Sequence, residues 1–204
     1  MPLELERMVG DVKWAKAHRL PARELKAMLR RLVAAAPEGS AERRFARLEL
    51  AAVLVESEPW LAARLARDAL RAEGEWRVGE DDRALGVLGI AHMLLGNFRS
   101  AREAFRRAIE VAPDSAEHRH NLGHVLDVAF NRPLSALPHL KLAHQLMPEE
   151  PEIASSLAHA LLGAGREAEA LRHLVRVFEG DSKRAQATLQ AWRTQRRVKS
   201  HRAK

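Results

Sequence analysis

Apolar residues return along the chain at helical spacing, and one short pattern of them recurs five times. It reads Ala101-x3-Phe105-x2-Ala108-x4-Pro113, then Ala136-x3-Leu140-x2-Ala143-x4-Pro148, then Ala170-x3-Leu174-x2-Val177-x4-Ser182. Upstream it reads Ala62-x3-Ala66-x2-Ala69-x4-Gly74, and first of all Leu25-x3-Leu29-x2-Leu32-x4-Pro37. The anchors Leu25, Ala62, Ala101, Ala136 and Ala170 are 37, 39, 35 and 34 residues apart. Offsets of four and seven put three apolar groups on one helical stripe. The proline, glycine or serine that follows stands where such a helix stops.

Each of these helices has a predicted partner ahead of it. Leu85, Leu88, Gly89 and His92 share one face, with Gly89 12 residues before Ala101. Leu122, Gly123 and Leu126 repeat the pattern, and Ala154, Leu157, Ala158 and Leu161 repeat it with alanine in place of glycine. A small residue at that place lets two helices approach closely. His92 reads as a packed core histidine. Gly96-Asn97 and Gly163-Ala164-Gly165 are short connections between paired helices. Asn97 is a candidate N-cap, Asp114 with Glu117 a candidate capping box, and Pro59, Pro133 and Pro151 suit a first helical turn.

These residues resemble the tetratricopeptide repeat (TPR) family, a 34-residue helix–turn–helix with leucine-glycine in its first helix and alanine, phenylalanine, alanine and proline in or after its second. The resemblance implies an all-α solenoid of antiparallel helix pairs with a C-terminal capping helix. Residues 82–180 read as three repeats, the middle one carrying one inserted residue near Asn131-Arg132-Pro133. Residues 1–37 read as a degenerate N-terminal hairpin whose first helix offers Val9, Val12 and Trp14. Residues 38–81 read as a degenerate hairpin and linker, in which Gly74 to Glu80, with Trp76, marks a break. Residues 181–204 read as a capping helix, with Ala185, Leu189 and Trp192 on one stripe, followed by a basic tail.

Composition narrows the chemistry. Of 204 residues 47% are apolar, enough for a sizeable core, and cysteine is absent, which removes disulfides, thiolate metal sites and cysteine nucleophiles. The acidic N-terminus carries no signal-peptide pattern, and the longest apolar run, Leu50 to Val55, is far short of the ~20 residues of a membrane span. A soluble, cytoplasmic protein is expected. The net charge of +7 resides entirely in residues 181–204, which hold eight of the 34 lysines and arginines and a single acid, Asp181. Arg193, Arg196, Arg197, Lys199, Arg202 and Lys204 form the candidate basic tail, and removing Arg196 to Lys204 is expected to leave the fold intact because the apolar stripe ends at Trp192.

No phosphate loop, nucleophile elbow or zinc-protease motif occurs in the chain. No enzyme activity, cofactor or resident metal is expected. His120 and His124 share a helix face, Asp127 lies three residues on, and the TPR resemblance places all three in the first-helix wall of the groove, with His159 in the following repeat. Two imidazoles at i, i+4 and a third across a helix gap also have the donor types of a zinc set, and a metal-dependent enzyme is the third reading. The same mapping adds Arg83, Ile90 and Met93, then Glu117 and Asn121, then Glu152 with Ser155. Gly86 and Ile90 stand where a carboxylate clamp needs cations, which argues against one. The expected function is a non-catalytic adaptor or scaffold that binds a segment of another protein in this groove. The alternative is binding of a nucleic acid or acidic surface through the tail.

Overall fold

Helix boundaries follow the turn chemistry in the sequence. Pro59, Pro133 and Pro151 open α4 (Pro59–Leu70), α8 (Pro133–Leu146) and α9 (Pro151–Gly163), where the missing N–H costs nothing. Ser40 caps α3 (Ala41–Leu54) through the Arg43 N–H. Ser115 caps α7 (Ala116–His124) through the His118 N–H, so the predicted capping box at Asp114 is replaced by its neighbour. Asn97 makes no side-chain cap at α6 (Phe98–Val111). Its backbone is used instead to close α5 (Asp81–Leu94): Gly96 is left-handed at φ 74°, and the Asn97 N–H reaches the His92 carbonyl at 2.8 Å. This is a Schellman closure. It recurs between α9 and α10 (Glu167–Val177), with Gly165 at φ 78° and the Arg166 N–H on Leu161 at 2.9 Å.

With α1 (Pro2–Ala17), α2 (Ala22–Ala35) and α11 (Ser182–Arg202) there are eleven α-helices and no strand among the described residues. The structure is a computed structural model that describes residues 2–70 and 79–202, with side-chain burial for 3–70 and 79–196. Gly74 and Trp76, in the predicted break, lie outside the described residues.

The chain divides into two compact units, Met1–Pro113 and Asp114–Lys204. In the first, Val12, Leu25, Leu29, Leu32, Leu50 and Leu54 make one core with Ala62 and Ala66. The predicted stripes are buried in both units, including Ala101, Phe105 and Ala108 in the first and Ala136, Leu140, Ala143, Ala170 and Leu174 in the second. Val177 is only half-buried. Trp14 is not a core residue: it is 57% exposed and stacks on His18. His92 is half-buried rather than enclosed.

Paired helices cross where the sequence places its small residue. A methyl group at Gly89 would overlap the Phe105 ring, and one at Gly123 would overlap Leu140. Phe105 and Leu140 hold the same position in successive copies of the pattern, so the crossing is the same in both pairs. Gly123 nevertheless lies 13 residues before Ala136, one more than the interval from Gly89 to Ala101. The extra residue is not in the Asn131–Pro133 turn. It is absorbed within the helix as a π-helical turn, Val125–Ala129, in which the Phe130 N–H bonds Val125 at 3.3 Å. A widened turn swallows one residue while the helix before it keeps its phase. Asp127 sits in that turn and is buried.

Truncating Phe105 to alanine should cost about 3–5 kcal/mol in a urea titration of unfolding, as large core truncations do. Gly89→Leu should also lower the unfolding midpoint, by overpacking the crossing. Wild-type midpoints for both variants would show that the repeat register is misassigned.

Candidate functional site

In the second unit α7 with its π turn, α9 and α11 are neighbours. The Asp127 carboxylate, with a side chain only 2% exposed, is held from two directions. His159 of α9 donates from Nδ1 to Oδ2 at 2.5 Å, and Arg196 of α11 donates from Nη2 to Oδ1 at 2.6 Å. Arg196 Nη2 also donates to the His159 carbonyl at 3.2 Å, and Nη1 reaches Asn131 Oδ1 at 3.4 Å. A carboxylate only accepts, so the His159 proton belongs on Nδ1. The 3.0 Å approach of Arg196 Nη2 to that nitrogen is then a contact between donors. Gly163 makes the arrangement possible, because a methyl group there would overlap the guanidinium. Trp192, one turn before Arg196, meets the His159 ring edge-on with centroids 5.0 Å apart.

Burial opposes the charge on Asp127, but the hydrogen bonds from His159 and Arg196 outweigh it and hold the carboxyl below its ordinary range. The other two histidines of the face behave differently. Burial pushes both His120 and His124 below the ordinary imidazole value, with Glu152 pulling each partly back. Both rings converge on the Ser156 hydroxyl, at 2.9 Å from His120 Nε2 and 3.4 Å from His124 Nδ1. One hydroxyl proton serves only one of them as a donor, so the other ring must donate to the oxygen.

The candidate residues of this unit therefore separate into two clusters, His120–Ser156–His124 and His159–Asp127–Arg196. The three imidazoles do not converge, and no group of three or more metal-ligating side chains stands together among the described residues. The two clusters also fail to form a nucleophile–base–acid relay, because the imidazole on the acid is not one of those on the serine. Glu117 and Glu152 are exposed and Asn121 is half-buried.

Arg83, Ile90 and Met93 belong to the first unit, which buries Glu49, Asp81 and Asp82. Glu49 of α3, with a side chain 3% exposed, accepts from Arg83 of α5 at 2.9 Å and from Lys16 of α1. Ile90 and Met93 are half-buried on α5. A cavity of about 420 Å³ between α1 and α3 is lined by Glu6, Val9, Lys13, Glu42 and Phe45.

The basic segment needs correction. Arg196 is not a free tail cation, because it is folded onto Asp127 as part of the site. Arg193 pairs with Glu167 at 3.6 Å. The side chains of Arg197, Lys199, Arg202 and Lys204 lie outside the described residues. Sequence reading missed Ser156 and Glu49 as site residues, and it put Arg196 in the basic tail rather than on Asp127. Glu49 carried a signal: a single acid within Ala46, Leu48, Leu50 and Ala51 must be paired once the run is buried. Arg196 carried none, since its partner is 69 residues away.

Antiparallel helical hairpins crossing at a small residue define a helical-repeat protein. Family models of the tetratricopeptide repeat match residues 82–115 and 128–193. Among solved structures, one of MamA is 19% identical, covers 84% of this chain and 95% of its own, and superposes with a TM-score of 0.65. TTC0263, a thermophilic TPR protein in Thermus thermophilus, is 20% identical over 92% of this chain and 98% of its own, with a TM-score of 0.65. Identities this low show the fold alone. No curated protein gives a significant match. The chain belongs to the tetratricopeptide repeat family. Its repeats mark a protein–protein interaction module, in a fold that is generally non-catalytic. No described helix is long and apolar enough to cross a membrane.

Two outcomes follow from the site. Burial comes first among the causes that depress His92, His120, His124, His139 and His173. The unfolded chain, with imidazoles near pH ~6.5, binds more protons than the folded one below that value. Stability from the neutral rings is thus complete above about pH 6.5 and is lost as the pH falls below it. The lowered Asp127 carboxyl adds stability present above about pH 3.9 and lost only on stronger acidification. Thermal melts between pH 7.5 and 5 should show the first loss, shallower in a His120→Asn, His124→Asn chain. Separately, Arg196→Ala should cost about 1.5–3 kcal/mol, the range for hydrogen bonds to charged groups. Deleting Arg196 to Lys204 should lower the melting temperature as well, and an unchanged value would return Arg196 to a solvated tail.

Proposed function

We propose that this chain is a non-catalytic adaptor or scaffold whose first-helix faces bind a segment of a partner protein. In this reading residues 82–180 carry three repeats, preceded by degenerate hairpins at 1–37 and 38–81 and followed by the capping helix at 181–204. The supporting observation is that the α7–α9 face already grips a side chain from a third element, Arg196 of α11, with a buried carboxylate, while Glu117 and Glu152 on the same two helices are exposed and Asn121 and His124 half-buried. Repeat faces present such groups from several helices, so one extended or helical segment touches many weak contacts at once. Arg83, Ile90 and Met93 offer the corresponding positions on α5.

Binding of a nucleic acid through the C-terminal cations is the weaker reading. The net +7 of the chain lies in residues 181–204, but Arg193 and Arg196 are engaged with acids of the chain itself.

Glu117→Lys combined with Glu152→Lys reverses charge on the face without touching the core. Partner proteins captured by the wild-type chain should bind this variant at least tenfold more weakly, while its melting temperature stays unchanged. Equal capture by both would remove the face from the proposal. Capture that disappears only after Lys199, Arg202 and Lys204 are neutralised would favour the cationic segment instead.

A further inference from the structure

The contacts of Arg196 describe a receptor as well as an ion pair. Asp127 Oδ1 and the His159 carbonyl accept from Nη2, and Asn131 Oδ1 accepts from Nη1. These acceptors lie on different parts of the chain and match the planar fork of a guanidinium, which a lysine ammonium does not present. Gly163 supplies the space, since any side chain there would occupy the guanidinium position. Asn131 is itself held at φ 51°, just after the π turn that carries Asp127. Trp192 adds an aromatic contact to His159 one helical turn earlier.

The present occupant is imperfectly held. Among the described residues Arg196 Nε is buried with no hydrogen-bond partner, which weakens its hold. The firm anchorage of α11 lies further back, at buried Ala185 and Leu189, whereas Arg193, Thr194 and Gln195 are exposed. Beyond Leu189 the described part of the helix is fastened to this face by Trp192 and Arg196. It is tethered beside the receptor, so it competes at an effective concentration of about millimolar.

We propose that Asp127, Asn131, the His159 carbonyl and Gly163 form a receptor for an arginine guanidinium presented by a helix, and that Arg196 of α11 is its built-in occupant. The partner segment is then an amphipathic helix with an aromatic ring one turn ahead of an arginine, which exchanges with the end of α11. This identification of the partner rests on the adaptor reading above.

The test uses the full chain and a fluorescein-labelled synthetic peptide with the sequence of residues 182–202, followed by fluorescence anisotropy. Arg196→Gln empties the receptor while keeping most of the side-chain bulk. The Arg196→Gln chain should bind the peptide at least tenfold more tightly than the wild-type chain, because the tethered competitor has lost its guanidinium. The same peptide with glutamine in place of its own Arg196 should lose at least tenfold in affinity. Adding Asp127→Asn or Gly163→Ala to the Arg196→Gln chain should remove binding of the arginine peptide. Should Arg196→Gln no longer melt cooperatively, Arg196→Lys retains the charge without the fork and should show the same gain over wild type. Equal binding by wild-type and substituted chains, binding indifferent to the arginine of the peptide, or no binding to any chain overturns the receptor. If that happens while Glu117→Lys with Glu152→Lys still abolishes partner capture, only the arginine receptor fails and the adaptor reading stands. If capture also survives the charge reversal, both fail.

Discussion

Paired helices in both units cross closely at a glycine, and the register of the second unit follows from keeping that crossing. Gly89 admits the Phe105 ring and Gly123 admits Leu140 at distances that no side chain on the glycine would allow. Once this crossing is kept in both pairs, the extra residue between Gly123 and Ala136 has nowhere to go except between the crossing and the next helix. A π turn takes it up. Asp127 falls in that turn, and its burial creates a demand that distant elements satisfy. The polar centre of the second unit is thus a consequence of keeping an apolar contact in register.

Two buried carboxylates carry parallel roles in the two units. Glu49 on α3 accepts from Lys16 and Arg83 on the first helices to either side. Asp127 accepts from His159 on the first helix of the next hairpin and from Arg196 on the capping helix. A buried ion pair adds little net stability over an apolar replacement, yet losing one partner strands a charge and is costly. The pairs therefore act as cross-links that tolerate only one alignment of the first helices. Lys16, Arg83 and Arg196 are thereby committed to acids of the chain itself, in keeping with the reading that disfavours a carboxylate clamp.

The helical repeat was legible in the chain because its information is local. Residues four and seven apart share a stripe whatever surrounds them, and glycine or proline ends a helix through its own backbone. Leu25, Leu29, Leu32, Ala101, Phe105 and Leu140 are buried for that reason. Local rules also misled where two candidates stood side by side. Ser115 took the cap expected of Asp114, and Asn97 closed α5 through its backbone instead of opening α6 with its side chain. Trp14 has the periodicity of a core residue, yet its ring lies exposed against His18 on its own helix end.

For the candidate site, residue types could be named from the chain while their pairing could not. His120, His124, Asp127 and His159 follow from a repeat register, which assigns each a face without saying what it touches. The structure divided them, giving the first two to Ser156 and the last two to Arg196. It also moved Arg196 out of the solvated basic segment. A charge at the end of a helix reads as solvated until another element brings a buried acid to it, and that acid is 69 residues away. The helices, their pairing and the small residues that let them cross are readable from the chain, because each depends on neighbours within a few turns. Which charges are buried together is set by the folded arrangement, because burial depends on elements whose separation along the chain carries no signal.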